Sequence, residues 1–273
     1  MSHPYTDFIA RFASLLKTAR RLPRGGFKAA RRPGPKPNAP RVLILAPHPD
    51  DECIVGVLPL RLQRELGCSV DVVAATLGSK RSRRAARLRE LRGACGFLGW
   101  ELVERPGCVA ADLTPAALAA VLRERKPALL LLPHASDANA THRRIRTLGL
   151  AALRALGSSF RCVVAETEFW STLEDPNLMI EATAAQTADL VAALSFHRGE
   201  VARNPYHVLL PCWLADGVRR GGELVGGQGA DAPKFLFAAL YRLSRWNGRA
   251  LVRAPGRTIP AGNGLRPIIS RAP

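Results

Sequence analysis

No apolar run in the 273-residue sequence approaches the roughly 18 residues that a membrane span needs, which excludes a transmembrane helix as a reading of the pattern. The first residues also lack the apolar core of a secretory leader, because Asp7 and Arg11 interrupt them. A soluble protein is therefore expected. The six cysteines (Cys53, Cys68, Cys95, Cys108, Cys162 and Cys212) contain no C-x-x-C pair, so neither a zinc knuckle nor a disulfide framework is expected. A reducing, cytoplasmic setting follows from that usage. No internal repeat is visible, and no G-x-G-x-x-G follows the first apolar run, which argues against a dinucleotide cofactor.

Acids are scarce: 22 Asp+Glu stand against 40 Lys+Arg, for a net charge of +18. Residues 1–40 hold nine basic residues and one acid, Asp7, and a second basic patch lies at 79–92, "SKRSRRAARLRELR". Such a surface favours anionic partners: phosphorylated sugars, acidic lipid headgroups or nucleic acid. Residues 5–21 read as a short basic amphipathic helix with Phe8, Ile9, Phe12, Leu15 and Leu16 on one side. That pattern also suits peripheral contact with the inner face of a membrane. The stretch 21–40, rich in Gly, Pro and charge, reads as a linker.

From residue 41 strands and helices alternate. "VLILA" (42–46) is a strand buried on both faces, and further strands are predicted over 69–78, 100–104, 127–134 and 161–170. Helices are predicted over 52–66, 81–99, 114–126 (with Thr114 as N-cap and Pro115 at the first helical position) and 141–156. Beyond about residue 200 the pattern weakens. The alternation implies an α/β, Rossmann-like three-layer fold with a mostly parallel sheet. The expected organisation is a basic helix and linker at 1–40, a catalytic domain at 41–252 and an irregular tail at 253–273.

Ligands of such sheets sit at the carboxyl ends of strands, and there the first strand runs into His48-Pro49-Asp50-Asp51-Glu52. Three adjacent acids are costly unless a positive charge lies among them. His48 and Asp51, either side of the turn that Pro49 imposes, can converge on one cation. The fourth strand ends in a second polar cluster with His134, Asp137, Asn139 and His142 at the same sheet edge. A His/Asp/His set with an open position suits one Zn²⁺ per chain, and iron(II) or manganese could take the same place. If Asp51 ligates, Asp50 is free to take a proton from water, and Glu52 caps the helix or orients a neighbour. Trp170 and Trp213, with Trp246, are candidates for stacking on a sugar ring.

"APHPDDE" after a buried first strand resembles the LmbE/PIG-L family of zinc-dependent N-deacetylases, which remove acetyl from N-acetylglucosamine units. The likeness extends to "AATLGS" (74–79), "RLRELRGACGFLG" (87–99) and "ETEFWSTLEDPN" (166–177). The resemblance implies His48, Asp51 and His142 as metal ligands, Asp50 as general base, and Arg87 as a substrate contact, with Asp137 and Trp170 also assigned to the substrate. Asn139 stands where many members have a histidine that assists as an acid or electrophile, a role left to Asn139 itself or to His134. Should the substrate carry phosphate, Arg81, Arg83 and Arg84 would form a clamp beside Arg87. The family's Ser-Gln after the last helix is replaced here by "FHRGE" (196–200). The expected reaction is hydrolysis of an N-acetylated amino sugar, phosphate-bearing or lipid-linked, with no nucleic-acid partner. The alternatives are a metal phosphoesterase and a catalytically degenerate fold that binds anionic lipid or nucleic acid.

Overall fold

The computed structural model describes residues 3–29, 34–36, 38–104 and 113–270. Cys108 and part of the expected linker lie outside them. Helix α1 (Pro4–Ala19) precedes the domain, and strand β1 (Arg41–Ala46) opens it. Short helices α2 (Asp51–Ile54) and α3 (Val57–Arg61) lead to β2 (Ser69–Ala74), and α4 (Arg84–Leu98) to β3 (Glu101–Leu102). Then come α5 (Pro115–Arg125), β4 (Leu129–Pro133), α6 (Ala140–Ala155) and β5 (Cys162–Thr167). The Thr114 cap is formed as expected, its hydroxyl accepting from the Ala117 N–H at 3.1 Å.

Strands β1 to β5 form a parallel sheet in the order β3-β2-β1-β4-β5, with every residue of β4 and β5 buried. The chain therefore reverses direction of winding between β1 and β4, and the two polar clusters predicted from the sequence leave the sheet at that switch point. Two apolar layers cover its faces, one built on Val42, Ile44, Leu58 and Leu91, the other on Leu43, Leu45, Leu118 and Leu153.

The C-terminal third is more regular than the sequence suggests. Strand β6 (Leu178–Ala182) is followed by α7 (Ala184–Leu194), α8 (Arg198–Arg203), α9 (Tyr206–Gly226), β7 (Phe237–Trp246), β8 (Leu251–Arg253), β9 (Arg257–Ile259) and α10 (Arg266–Ile269). Strand β7 runs antiparallel between β5 and β6, and β9 adds a parallel edge to β6. Residues 257–259 of the expected irregular tail thus join the sheet as β9. Arg61, fully buried, holds it there: its guanidinium donates to the carbonyls of Glu181, Ile259 and Pro260 at 2.7–3.1 Å while Glu65 neutralises it at 2.6 Å. Asn177 adds a second clasp, its amide NH₂ donating to the carbonyls of Leu243 (2.8 Å) and Ala254 (2.7 Å). The single helix expected over 52–66 is divided, because α2 ends at Ile54 and a wider π turn (Leu62–Leu66) closes the segment. Trp246 belongs to the core at 2% exposure, so it has no stacking role.

His207 is buried on α9, and neither of its ring nitrogens has a hydrogen-bond partner among the described residues. Burial, with a smaller contribution from the Arg24 charge, pushes its pKa below the ordinary histidine value. The unfolded chain then binds the proton more readily, so stability falls as pH drops through about 6.5. His207→Phe is expected to flatten the pH dependence of Tm between pH 8 and pH 5.5, as thermal melts at several pH values would show. An unchanged slope would count against this source of acid sensitivity.

Candidate active site

The loop after β1 makes a turn that few side chains tolerate: Asp50 has φ +119° and ψ −32°. Three bonds hold it. The Asp50 N–H donates to Glu52 Oε2 at 2.9 Å, and the Asp50 carbonyl accepts from the N–H groups of Cys53 (3.1 Å) and Ile54 (3.3 Å). Glu52 is itself fixed from a distant element, since its Oε1 lies 2.7 Å from Nε2 of His197 and 3.1 Å from Sγ of Cys53. Burial would raise the Glu52 pKa, but the His197 charge and hydrogen bond outweigh it and hold the carboxyl below its ordinary range. Strain of this kind persists where surrounding bonds over-determine it, and it concentrates at functional sites.

On the other side of the turn Asp51 accepts from the His48 N–H through Oδ2 at 2.7 Å. That oxygen also lies 3.4 Å from His48 Nδ1 and 3.5 Å from His142 Nε2. His48, Asp51 and His142 each present one ligand atom, all within 4.8 Å of one another. His142 is oriented by Asp137, whose Oδ2 lies 3.3 Å from its Nδ1, which directs Nε2 toward Asp51. The buried atoms without hydrogen-bond partners among the described residues include His142 Nε2, Asp51 Oδ1 and Asp137 Oδ2 in this cluster. An imidazole nitrogen and a carboxylate oxygen orphaned side by side fit a divalent cation.

The electrostatics separate the two aspartates. Burial alone would raise the Asp51 pKa, but the His48 hydrogen bond and the charges of His142 and His48 hold it below the ordinary range. The Asp50 carboxyl is pushed well up by burial, then by Asp51 and Glu52, with Arg87 opposing. A divalent cation among the ligands would draw Asp50 back toward its charged form.

Asp50 faces a cavity of about 490 Å³ that is also lined by His48, Asn139, Arg87, Phe169 and Trp170. Arg87 is anchored rather than loose, donating to the Pro49 carbonyl at 3.2 Å and lying 3.6 Å from Glu200. Gly78, at φ +83°, makes room for it: a Cβ there would come within 2.2 Å of the guanidinium. Thr76 ties this turn to the Asp50 loop, its hydroxyl donating to the Pro47 carbonyl at 2.9 Å. Asn139 caps α6 through its Oδ1, which accepts from the Thr141 N–H at 2.8 Å, so its NH₂ is what it can offer to the cavity. Trp170 lines the cavity with half its surface exposed.

Other expected residues are placed elsewhere. Asp137 is buried, with Oδ1 accepting from the Asn139 N–H at 2.7 Å and Oδ2 3.3 Å from His142 Nδ1, and it does not line the cavity. His134 is buried as well, its Nε2 3.1 Å from the Ser171 carbonyl and 4.0 Å from Asp137, and it does not line the cavity. Of the arginines proposed as a clamp, Arg83 lines the cavity and Arg81 and Arg84 do not, while Lys80 and Arg203 join it. Sequence reasoning missed Glu200, Tyr206 and Phe169, the last stacked on the His142 ring at 5.7 Å. They lie in irregular or weakly patterned segments. The "FHRGE" stretch contains Glu200 and "ETEFWSTLEDPN" contains Phe169.

A Rossmann-like sheet with His, Asp and His converging at its switch point, and a buried acid beside them over an open cavity, defines a site able to hold a cation and act on a bound molecule. Residues 43–153 match the family model "PIG-L: GlcNAc-PI de-N-acetylase". Solved structures share the fold. N,N'-diacetylchitobiose deacetylase from Pyrococcus horikoshii is 17% identical, covering 86% of this chain and 92% of its own, with a TM-score of 0.55. The A40926 pseudoaglycone deacetylase Dbv21 is 15% identical over 78% of this chain and 100% of its own, with a TM-score of 0.54. GalB, the 4-carboxy-2-hydroxymuconate hydratase from Pseudomonas putida, is 18% identical over 75% of this chain and 95% of its own, with a TM-score of 0.56. No curated protein matches the chain by sequence.

Proposed function

We propose that the protein is a metal-dependent N-deacetylase that releases acetate from an N-acetylglucosamine-containing substrate. The pairing of the orphaned His142 and Asp51 atoms with a separate, strained acid, Asp50, on the cavity wall carries this reading. The PIG-L match points the same way, and it matters because the fold itself is also that of a hydratase.

His48, Asp51 and His142 would hold the cation, Zn²⁺ by the chemistry of the donors, and when bound it supplies Lewis acidity to the acetamide carbonyl and acidifies water. Asp50 accepts the proton of the attacking water and then passes it to the departing amine. The Asn139 NH₂ donates a hydrogen bond to the oxygen that gains charge as the carbonyl carbon becomes tetrahedral. Glu52 and His197 keep the Asp50 backbone in its strained turn, and Asp137 keeps His142 facing its partners. Trp170, partly exposed on the cavity wall, offers a face for the sugar ring. Lys80, Arg83, Arg87 and Arg203 give the cavity a cationic lining that favours a phosphate-bearing or lipid-linked amino sugar.

A phosphoesterase that works with two metals needs a second ligand set open to substrate. The second cluster of potential ligands among the described residues, Glu52, Cys53 and His197, is buried and hydrogen-bonded within itself. The deciding assay is acetate and free-amine release from a panel of N-acetylglucosaminyl compounds, neutral and phosphorylated, by protein supplied with divalent metal. Equal amounts of both products from at least one compound are expected. Metal-loaded protein that releases acetate from none of them would remove the proposal.

The cationic lining has its own consequence. Lys80→Ala and Arg83→Ala are each expected to raise KM for a phosphorylated substrate about tenfold, a charge-assisted hydrogen bond being worth about 1.5–3 kcal/mol. The kcat should hold, and the neutral analogue should be unaffected. Steady-state kinetics on the paired substrates would show it.

A further inference from the structure

Helix α1 lies outside the packed domain. None of its residues is buried, and Tyr5, Phe8, Ile9, Phe12 and Leu15 are exposed, Phe8 at 61% and Leu15 at 65%. Tyr5, Phe8, Ile9 and Phe12 follow the i, i+3, i+4, i+7 spacing of one helical stripe, with Leu15 a turn further on. A helix of 16 residues is marginal in water on propensity alone and depends on covering its apolar face. Nothing in the described chain covers this one.

The charge around the stripe names the surface that would. Asp7 is the sole acid before residue 41, and it is paired with Arg11 at 2.8 Å. Lys17, Arg20, Arg21, Arg24 and Lys28 follow within thirteen residues of Leu15. An apolar stripe edged by uncompensated cations is complementary to an anionic bilayer surface, which offers acyl chains and phosphates at the same depth. A protein groove would match the stripe alone, and nucleic acid the cations alone.

The helix is also tethered at a definite place. The Gly25 N–H donates to Ser195 Oγ at 3.0 Å, and Arg198 Nε donates to the Arg24 carbonyl at 2.9 Å. Phe27 packs edge-on against Phe97 and Phe196 at 6.4 and 6.2 Å between ring centres. These anchors adjoin α8, whose Glu200 and Arg203 line the catalytic cavity. Beside that cavity, and sharing Phe169, Trp170 and Tyr206 with it, runs an apolar groove of about 510 Å³ where Leu209 is exposed.

We propose that α1 is an interfacial helix that lays its Tyr5–Phe8–Ile9–Phe12–Leu15 face into an anionic bilayer and sets the cavity rim at the membrane surface. It binds by partition and does not cross: no described helix is long and apolar enough for that. The test is flotation of the full chain with phosphatidylcholine vesicles, with and without phosphatidylglycerol, for the wild type and for the double variant Phe8→Ser/Phe12→Ser. Both positions are exposed, so the variant should keep the wild-type melting temperature. The wild type is expected to float with the anionic vesicles, less at high salt, and the variant to lose at least tenfold in partition. Three results would overturn the proposal: no flotation, flotation undiminished in the variant, or a wild-type dimer in solution that the same substitutions convert to monomer. The readout is independent of acetate release, so the deacetylase proposal can fail without it.

Discussion

Asp50→Asn should lower the rate of acetate release by about 10³-fold, the middle of the range for removing a general base. The amide keeps the size of the carboxyl and cannot accept the proton. The turn should survive, because the bonds that hold it run through the Asp50 backbone N–H and carbonyl and not through its side chain. The bound metal should survive too, since His48, Asp51 and His142 are untouched. The diagnostic result is therefore a variant of wild-type metal content and melting temperature with most of its turnover gone. A variant that kept more than about a tenth of the wild-type rate would assign the proton transfer to another group.

Asp51→Asn should behave differently despite adjoining the same site. Asp51 is the carboxylate of the cluster, and one of its oxygens bridges toward both imidazoles. Replacing it removes the negative charge that attracts a cation, so metal content and activity should fall together, the activity to background. The stability response should distinguish the two variants as well. A ligand at a hundredfold excess over its Kd adds about 2.7 kcal/mol to the folded state, several degrees in Tm. Metal added to stripped wild type or to Asp50→Asn should give that rise, and Asp51→Asn should give little. Thermal melts with and without metal, beside elemental analysis, check it. Equal metal content in Asp51→Asn and the wild type would mean the ligand set is wrong.

How much of this is legible in the sequence depends on how local each signal is. The β1 strand and the HPDDE loop are contiguous, and an unbroken apolar run ending in His-Pro-acid leaves few readings. The second cluster was equally visible, but the division of labour within it was not. Asp137 and His142 are five residues apart, and nothing in the spacing says that the carboxylate would turn to the back of the imidazole and away from the cavity. His197 and Glu52 are 145 positions apart and meet only because α7 packs over α2. Asn139 looked like a substituted catalytic residue and is also a helix cap, a role that Asn commonly fills. The tail after residue 253 read as irregular because β9 is three residues long and flanked by Pro and Gly. What orders it is the buried guanidinium of Arg61, which by composition alone would have been placed on the surface.

Metal titration into stripped wild-type protein, with acetate release followed in the same sample, bears most directly on the site. Activity should rise in proportion to added divalent ion and level off at one equivalent per chain, with acetate and free amine appearing in equal amounts. Full turnover by the stripped protein in the presence of a chelator, or metal bound at one equivalent with no acetate released from any N-acetylglucosaminyl compound, would contradict the assignment of His48, Asp51 and His142 as the ligands of a deacetylase.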